Sequence, residues 1–233
     1  MKQTKIDWCD CTVNPVVGCK NGCEYCYARK INERFNFIEK WDEPQFFEER
    51  LKQLECKKGK SVFMDSMSDV AFWDWYWRDK VAEKMSSNRQ HRYIFLTKCY
   101  KALKGIYSRW DYLFDGAGKI AYLGASITTQ EQLNSLQAYA YKELDFLSIE
   151  PLQEPLKFQE CCHYLQRCEL FILGAETGNR KDKVVPKKEW IDDIVSFCNK
   201  LNIKVFMKES LRDIMGEDFR QDELPWAIKG EQK

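Results

Sequence analysis

The sequence has no excess of charge of either sign, no long apolar run and no proline-rich linker. Its 37 basic and 36 acidic side chains leave a formal net charge of +1, so no overall field attracts nucleic acid or an anionic membrane. The longest apolar runs, such as residues 170–173, are far too short to cross a bilayer. The polar start, Met1 to Lys5, lacks the apolar core of a secretory signal peptide. We therefore expect a cytoplasmic protein with no membrane partner.

The sequence also lacks an internal repeat and any low-complexity segment. A length of 233 residues is usual for a single α/β barrel domain. Hydrophobic residues make up 44% of the chain and aromatic residues 14%, which is enough to bury a sizeable core. We therefore expect one domain that spans residues 1–233.

Strand-like and helix-like segments alternate along the chain. Repeated βα units predict a parallel sheet, and six or seven of them predict a partial (βα)6-7 TIM barrel. The charged residues at about 37–60 are expected to form a helical insertion. The apolar, β-rich runs are residues 12–17, 61–65, 93–98, 120–126, 144–150, 169–176 and 203–208. The helix-like stretches are residues 26–37, 73–85, 100–107, 129–139 and 187–201.

Cysteine is unusually frequent, with eleven residues in a chain that we expect in a reducing compartment, where cysteines indicate metal binding or catalysis before disulfides. Cys19, Cys23 and Cys26 form a C-x3-C-x2-C motif in the loop at residues 18–27, with Tyr25 directly before the last cysteine. Three thiolates hold only three irons of a four-iron cluster and leave the fourth iron open to a ligand that is not protein. This spacing with the aromatic residue is typical of radical S-adenosylmethionine (SAM) enzymes.

Other interpretations of the cysteines remain open. Cys9 or Cys11 would supply a fourth thiolate if the site were a closed zinc or iron–sulfur knot. Buried cysteines also act simply as small hydrophobic residues. A second group near the sixth strand is a weaker candidate for an auxiliary metal site: Cys161, Cys162, His163 and Cys168.

Polar side chains follow the apolar part of nearly every predicted strand. In α/β barrels the active residues collect at the carboxyl ends of the strands, so these side chains predict a ring of functional groups around one cleft. The candidate residues at these positions are Asp65, Ser66, Thr97, Lys98, Ser126, Glu150, Gly174, Glu176 and Lys208.

From Trp8 to about Glu209 the chain resembles a phage-associated family of radical SAM-like proteins of unknown function. The resemblance rests on Trp8, residues 12–19, the three-cysteine loop and Tyr27-Ala28. It continues through the strand-end motifs at residues 65–69, 95–98, 123–126, 148–152, 173–178 and 205–208. Cys9 and Cys11 are not part of the family's motif. The resemblance implies a partial TIM barrel of the radical SAM type, a [4Fe-4S] cluster and SAM, but it does not supply a substrate.

The resemblance also implies roles for the strand-end residues. Tyr25 is expected beside the SAM adenine, and Asp65 and Ser66 are expected to bind the SAM amino group, because a carboxylate suits an ammonium. Thr97 and Lys98 are expected to hold the ribose hydroxyls and the SAM carboxylate.

The later strand ends are expected to serve both the cofactor and the substrate. Ser126 and Glu150 are candidate ribose or substrate contacts, and Gly174 would let the backbone approach the adenine closely. The residues that we expect nearest to the substrate are Glu176, Arg180 and Lys208, of which Glu176 and Lys208 are the candidate catalytic residues.

The leading prediction is a radical SAM enzyme. SAM would be cleaved reductively to a 5′-deoxyadenosyl radical that takes hydrogen from a small polar or nucleotide substrate, with nucleic acid as a further candidate. Electrons would come from an external donor of the flavodoxin or ferredoxin type. The alternative is a zinc- or iron–sulfur-stapled nucleic-acid-binding or scaffold protein without SAM chemistry, which the absence of basic clusters disfavours.

Overall fold

The structure is a computed structural model and describes residues 4–115, 118–140, 143–158, 163–165, 167–178 and 180–228. The strands in these residues are β1 (Cys11–Thr12), β2 (Val16–Val17), β3 (Gln45–Phe46), β4 (Ser61–Phe63), β5 (Arg92–Thr97), β6 (Ala121–Ile127), β7 (Phe146–Ile149), β8 (Leu170–Leu173) and β9 (Lys204–Met207). The α-helices are α1 (Tyr27–Phe35), α2 (Trp75–Ser86), α3 (Leu103–Phe114), α4 (Gln130–Tyr139), α5 (Lys188–Lys200) and α6 (Arg212–Met215). Short 3-10 helices span Glu48–Glu55, Val70–Phe72, Tyr100–Ala102, His163–Leu165, Glu209–Leu211 and Gly216–Asp218.

The main sheet has seven strands in the order β1-β4-β5-β6-β7-β8-β9. The pairs β1·β4, β4·β5, β6·β7, β7·β8 and β8·β9 are all parallel. Every residue of β6, β7 and β8 is buried, as expected for strands covered on both faces. The predicted α/β class with a parallel sheet is therefore confirmed.

The chain divides into two compact units. The first unit contains Met1–Cys99, Gly105–Tyr122 and Trp226–Lys233, and the second contains Tyr100–Lys104 and Leu123–Pro225. In the first unit, Trp226 is 1% exposed and its indole N–H donates to the Trp8 carbonyl at 2.8 Å. In the second unit, Phe146 and Phe171 from paired strands are fully buried.

The strand predicted at residues 12–17 is wrong as a single element. β1 pairs with β4 in the main sheet, whereas β2 pairs antiparallel with β3 in a separate two-stranded sheet. Pro15 lies between them and has no N–H to continue a ladder, although its carbonyl accepts from Phe47 N at 2.7 Å. The insertion predicted at 37–60 contains β3 and the helix Glu48–Glu55, which is of the 3-10 type.

The other predicted strands and helices are present. The strands β4, β7, β8 and β9 are shorter than predicted, whereas β5 and β6 have the predicted length and are displaced by one residue. The strand predicted at 169–176, for example, is β8, Leu170–Leu173. Thr97 and Ser126 lie within β5 and β6, whereas Asp65, Glu150 and Lys208 follow the ends of β4, β7 and β9. In the described part of the chain we find no helix with the length and apolarity needed to cross a membrane.

Gly124 offers a test of the packing between β6 and β7. It pairs in register with Phe146, and a Cβ at Gly124 would lie 2.5 Å from the Phe146 ring. We predict that Gly124→Ala lowers the free energy of unfolding by about 1–3 kcal/mol through overpacking, as measured by urea denaturation. In a Phe146→Leu background the same change should cost less, and Gly105→Ala, where a Cβ meets open space, is the control. An equal cost in both backgrounds would rule out the steric explanation.

Candidate metal and cofactor site

The three-cysteine loop connects β2 to α1, and close backbone contacts hold it in place. Gly18 has a φ of +110°, and a Cβ there would lie 2.9 Å from the Trp41 carbonyl oxygen, so a side chain does not fit. Gly18 N donates to the Met67 carbonyl at 3.0 Å, and Cys19 N donates to the Trp41 carbonyl at 2.8 Å. The start of the loop is thus fixed against two different segments of the first unit.

The thiols of Cys19, Cys23 and Cys26 are half-buried, and none of the nine cysteines that the structure describes is in a disulfide. Cys26 is the N-cap of α1, and its sulfur accepts from Arg29 N at 3.4 Å. The positive end of a helix favours a thiolate at this position. The Arg29 guanidinium also donates to the Cys23 carbonyl at 2.9 Å, which ties the loop to the helix.

The surroundings of Cys19 oppose ionisation of its thiol. Burial raises the pKa of the Cys19 thiol to about 12, with further contributions from Asp69, Cys23 and Cys26, while a hydrogen bond from the Asn21 backbone lowers it. A metal would therefore have to displace a proton from Cys19.

The three thiols fit an iron–sulfur cluster in the type and number of donor atoms. They share one loop, but they do not converge on one point. Across residues 4–228, apart from the stretches left undescribed, no three His, Cys, Asp or Glu side chains are arranged to hold a metal ion.

Cys9 and Cys11 are buried at the other end of the strands. Cys11 pairs with Val62, and its thiol lies 3.8 Å from the Ser61 carbonyl at the start of β4. The three-cysteine loop instead contacts Met67, beyond the end of β4. The structure does not bring Cys11 to the loop as a fourth ligand.

The second cysteine group falls largely outside the described residues. This is the case for Cys161, Cys162 and the side chain of His163. Cys168 is buried, its thiol donates to the Leu170 carbonyl at 3.5 Å, and burial raises its pKa well above the usual value. These contacts are those of a packed core cysteine.

Asp65 lies two residues after the end of β4 and is only 3% exposed. Its carboxylate accepts from Leu96 N at 3.1 and 3.2 Å and from Val70 N at 3.2 Å. Burial and the nearby Asp69 charge raise the pKa of Asp65 well above its usual value. The backbone thus engages the carboxylate that the sequence assigned to the SAM amino group.

The two hydroxyl residues beside Asp65 also make internal contacts. The Ser66 hydroxyl donates to Asn14 Oδ1 at 3.0 Å. Thr97 is 1% exposed, and its hydroxyl accepts from Cys99 N at 2.9 Å.

Lys98 and Tyr25, which the sequence assigned to the cofactor from distant positions, are in contact. The Lys98 ammonium lies 5.5 Å from the centre of the Tyr25 ring, a cation–π geometry. Lys98 N donates to Asp69 Oδ2 at 2.9 Å, and the same oxygen accepts from Asn21 Nδ2 at 2.7 Å. Asp69 and Asn21 were missed as site residues, although Asp69 lies in one of the strand-end motifs.

The second unit gathers a separate set of predicted residues. Ile149, Leu173 and Met207 are register partners on β7, β8 and β9, so the next residues of the three strands lie side by side. These residues are Glu150, Gly174 and Lys208. The Lys208 ammonium pairs with the Glu150 carboxylate across Gly174.

Gly174 is the residue that leaves room for this ion pair. A Cβ there would lie 3.0 Å from Lys208 Cδ and 3.2 Å from Glu150 Cγ. The predicted role of Gly174 against adenine stays a prediction, but its contact with the ion pair accounts for the absence of a side chain.

The remaining predicted residues of the second unit are also paired. The Arg180 guanidinium donates to both oxygens of Glu176, at 2.8 and 2.7 Å, and the Glu176 side chain is 8% exposed. Ser126 is buried, and its carbonyl accepts from the Tyr100 hydroxyl at 2.9 Å. Two carboxylates thus neutralise two cations at the ends of these strands.

Comparison with known proteins places the chain in a family. The family model DUF5131, protein of unknown function, matches residues 3–216. The chain belongs to the DUF5131 family. No curated protein and no solved structure matches it. The matched range of this DUF5131 protein includes all the predicted site residues, but the family brings no activity to them.

The buried Asp65 of this DUF5131 chain predicts a pH-dependent stability. The folded state holds the Asp65 proton to a higher pH than the unfolded chain, which loses it at about pH 3.9. The resulting stabilisation is complete below that pH and is lost as pH rises through the folded pKa. We predict that the metal-free protein loses stability from about pH 5 upward more steeply than Asp65→Asn does, as measured by urea denaturation. Parallel stability curves would show that Asp65 does not titrate in this way.

Proposed function

We propose that the protein is a radical SAM enzyme in which Cys19, Cys23 and Cys26 bind a [4Fe-4S] cluster. The observation that carries the proposal is the three-cysteine loop itself. Its three thiols share one loop, its last cysteine caps α1, and Cys11 lies beside Ser61 and Val62 of β4, outside the loop. Three donors without a fourth cysteine match a cluster with one open iron.

When bound, the cluster would supply the electron that cleaves SAM, and its open iron would take the amino and carboxylate groups of SAM. The chain's own task is to hold the site. The α1 N-terminus favours negative charge at Cys26, and the Arg29 side chain fixes the backbone at Cys23. The parallel α/β sheet supports a partial barrel of the radical SAM type as the fold of this enzyme.

Lys98 and Tyr25 are the best supported contacts for SAM. An ammonium suits the SAM carboxylate through a charge-assisted hydrogen bond, and an aromatic face suits the adenine ring. Both residues lie in the first unit, and Tyr25 lies within the three-cysteine loop itself. The contacts of Asp65 and Ser66 favour structural roles for these two residues over the predicted contact with the SAM amino group.

The second unit supplies the candidate substrate groups. Its two ion pairs, Glu150 with Lys208 and Glu176 with Arg180, carry equal positive and negative charge. This balance suits a small polar substrate or a nucleotide and disfavours a lipid. An external donor of the flavodoxin or ferredoxin type would deliver the electron, since the proposed reaction consumes one for each SAM that is cleaved.

Cysteine variants test the cluster. We predict about four irons per chain for the anaerobically reconstituted wild-type protein and almost none for Cys19→Ala, Cys23→Ala or Cys26→Ala, because none of the other cysteines that the structure describes supplies a replacement thiolate at the loop. Cys9→Ala and Cys11→Ala should keep the iron and serve as controls. The measurements are iron analysis and visible absorbance.

Two outcomes would overturn this assignment. Loss of iron in Cys9→Ala would favour a closed site with four thiolates. A colourless wild-type protein with one zinc would favour the zinc-stapled binding protein over the enzyme.

A second pair of variants separates the cofactor groups from the substrate groups. Lys98→Met should weaken SAM binding roughly ten- to a hundredfold, the effect of losing a charge-assisted contact, with unchanged iron content. Glu176→Gln should leave SAM affinity and uncoupled 5′-deoxyadenosine formation intact and abolish only substrate-dependent turnover. SAM affinity is measured by equilibrium dialysis of the iron-loaded protein. If Glu176→Gln loses SAM affinity, Glu176 is a cofactor contact and the division between the two sets fails.

A further inference from the structure

Asp69 connects three segments of the first unit through one buried carboxylate. It is 3% exposed and caps the 3-10 helix Val70–Phe72, with Oδ1 accepting from Ala71 N at 2.9 Å. Its other oxygen accepts from Asn21 Nδ2 at 2.7 Å and from Lys98 N at 2.9 Å. The cap alone uses only Oδ1, so the contacts of Oδ2 are additional to the ordinary role of a capping aspartate.

Three donors converge on this side chain, which explains why an ionised carboxylate is suited to the position. A carboxylate is an acceptor only and offers enough lone pairs for all three N–H groups. Its charge strengthens each hydrogen bond. An asparagine would present an NH2 group to one of these donors and would lose that contact.

The Asp69 carboxylate is bound to the cysteine loop itself. Its Oδ2 accepts from the Asn21 side chain at 2.7 Å, and Asn21 lies two residues from both Cys19 and Cys23 in the chain. Net charge and hydrogen bonding near an iron–sulfur cluster set its reduction potential. A negative charge beside the cluster disfavours the added electron and lowers that potential.

We propose that Asp69 is a positioning residue that fixes the three-cysteine loop to the end of β5 and lowers the reduction potential of the cluster bound there. The first part concerns the chain itself. The second part rests on the proposed function, and the two parts are tested by separate measurements.

The positioning part is tested on the metal-free protein. Alkylation of Cys19 by iodoacetamide, followed by mass spectrometry, should be about tenfold faster or more in Asn21→Ala, because opening of the loop no longer breaks a charge-assisted hydrogen bond. This variant keeps the Asp69 charge and so isolates positioning, and Asp69→Ala, which also favours the Cys19 thiolate, should be at least as fast. Asp74→Ala is the matched control, since Asp74 caps α2 through Tyr76 N at 2.8 Å in the same manner as Asp69 caps its helix. Cys198, buried in the second unit, reports global unfolding.

The expected result is faster alkylation of Cys19 with no change at Cys198. An unchanged rate at Cys19, or an equal increase at Cys198 or in Asp74→Ala, would overturn the positioning role. The alkylation rates test the positioning role of Asp69 even if the protein binds no iron.

The electrostatic part is tested on the iron-loaded protein by a redox titration followed by electron paramagnetic resonance. Asp69→Asn should shift the cluster potential upward relative to the wild type, whereas Asn21→Ala loosens the loop but keeps the charge and should not. Equal potentials in Asp69→Asn and the wild type, or equal upward shifts in both variants, would overturn this part. If the wild-type protein cannot be loaded with iron, the proposed function is wrong. The alkylation rates would still test the positioning role of Asp69.

Discussion

The parallel register of the strands determines which polar side chains meet in each unit. In the first unit, Phe63 pairs with Ile94, so the residues that follow β4 lie beside the end of β5. Asp65 can therefore accept from Leu96 N. In the second unit, the register of β7, β8 and β9 sets Glu150, Gly174 and Lys208 at one level. A shift of one residue in either register would separate these partners, since successive side chains point to opposite faces.

The three-cysteine loop is fixed by hydrogen bonds to the segments that follow β4 and α1. The loop has little regular structure, so its hydrogen bonds go to neighbouring segments: Gly18 to Met67, Cys19 to Trp41 and Asn21 to Asp69. Cys26 then caps the N-terminus of α1, and the positive end of this helix favours negative charge there. Burial opposes ionisation of Cys19, so metal binding at this thiol would be coupled to proton release.

Much of the fold was predictable because strands buried on both faces read as short apolar runs in the sequence. The polar residues after these runs were predictable as site candidates for the same reason. The contacts of Tyr25 with Lys98 and of Glu150 with Lys208 join residues that the sequence had indicated separately as site candidates. The partners themselves were not predictable, because they depend on contacts between distant segments. Asp65 was taken for a ligand group because its hydrogen bonds from Leu96 N and Val70 N leave no trace in a single sequence. Residues 12–17 were taken for one strand because the apolar pattern outweighed the break at Pro15.

We propose that the three-cysteine loop holds a cluster with an open iron that binds and cleaves SAM. The most direct measurement is the electron paramagnetic resonance spectrum of the reduced, iron-loaded wild-type protein before and after addition of SAM, with 5′-deoxyadenosine assayed in the same sample. We expect SAM to change the cluster signal and 5′-deoxyadenosine to accumulate in the presence of reductant. A cluster signal that SAM leaves unchanged, with no 5′-deoxyadenosine formed, would contradict this proposal.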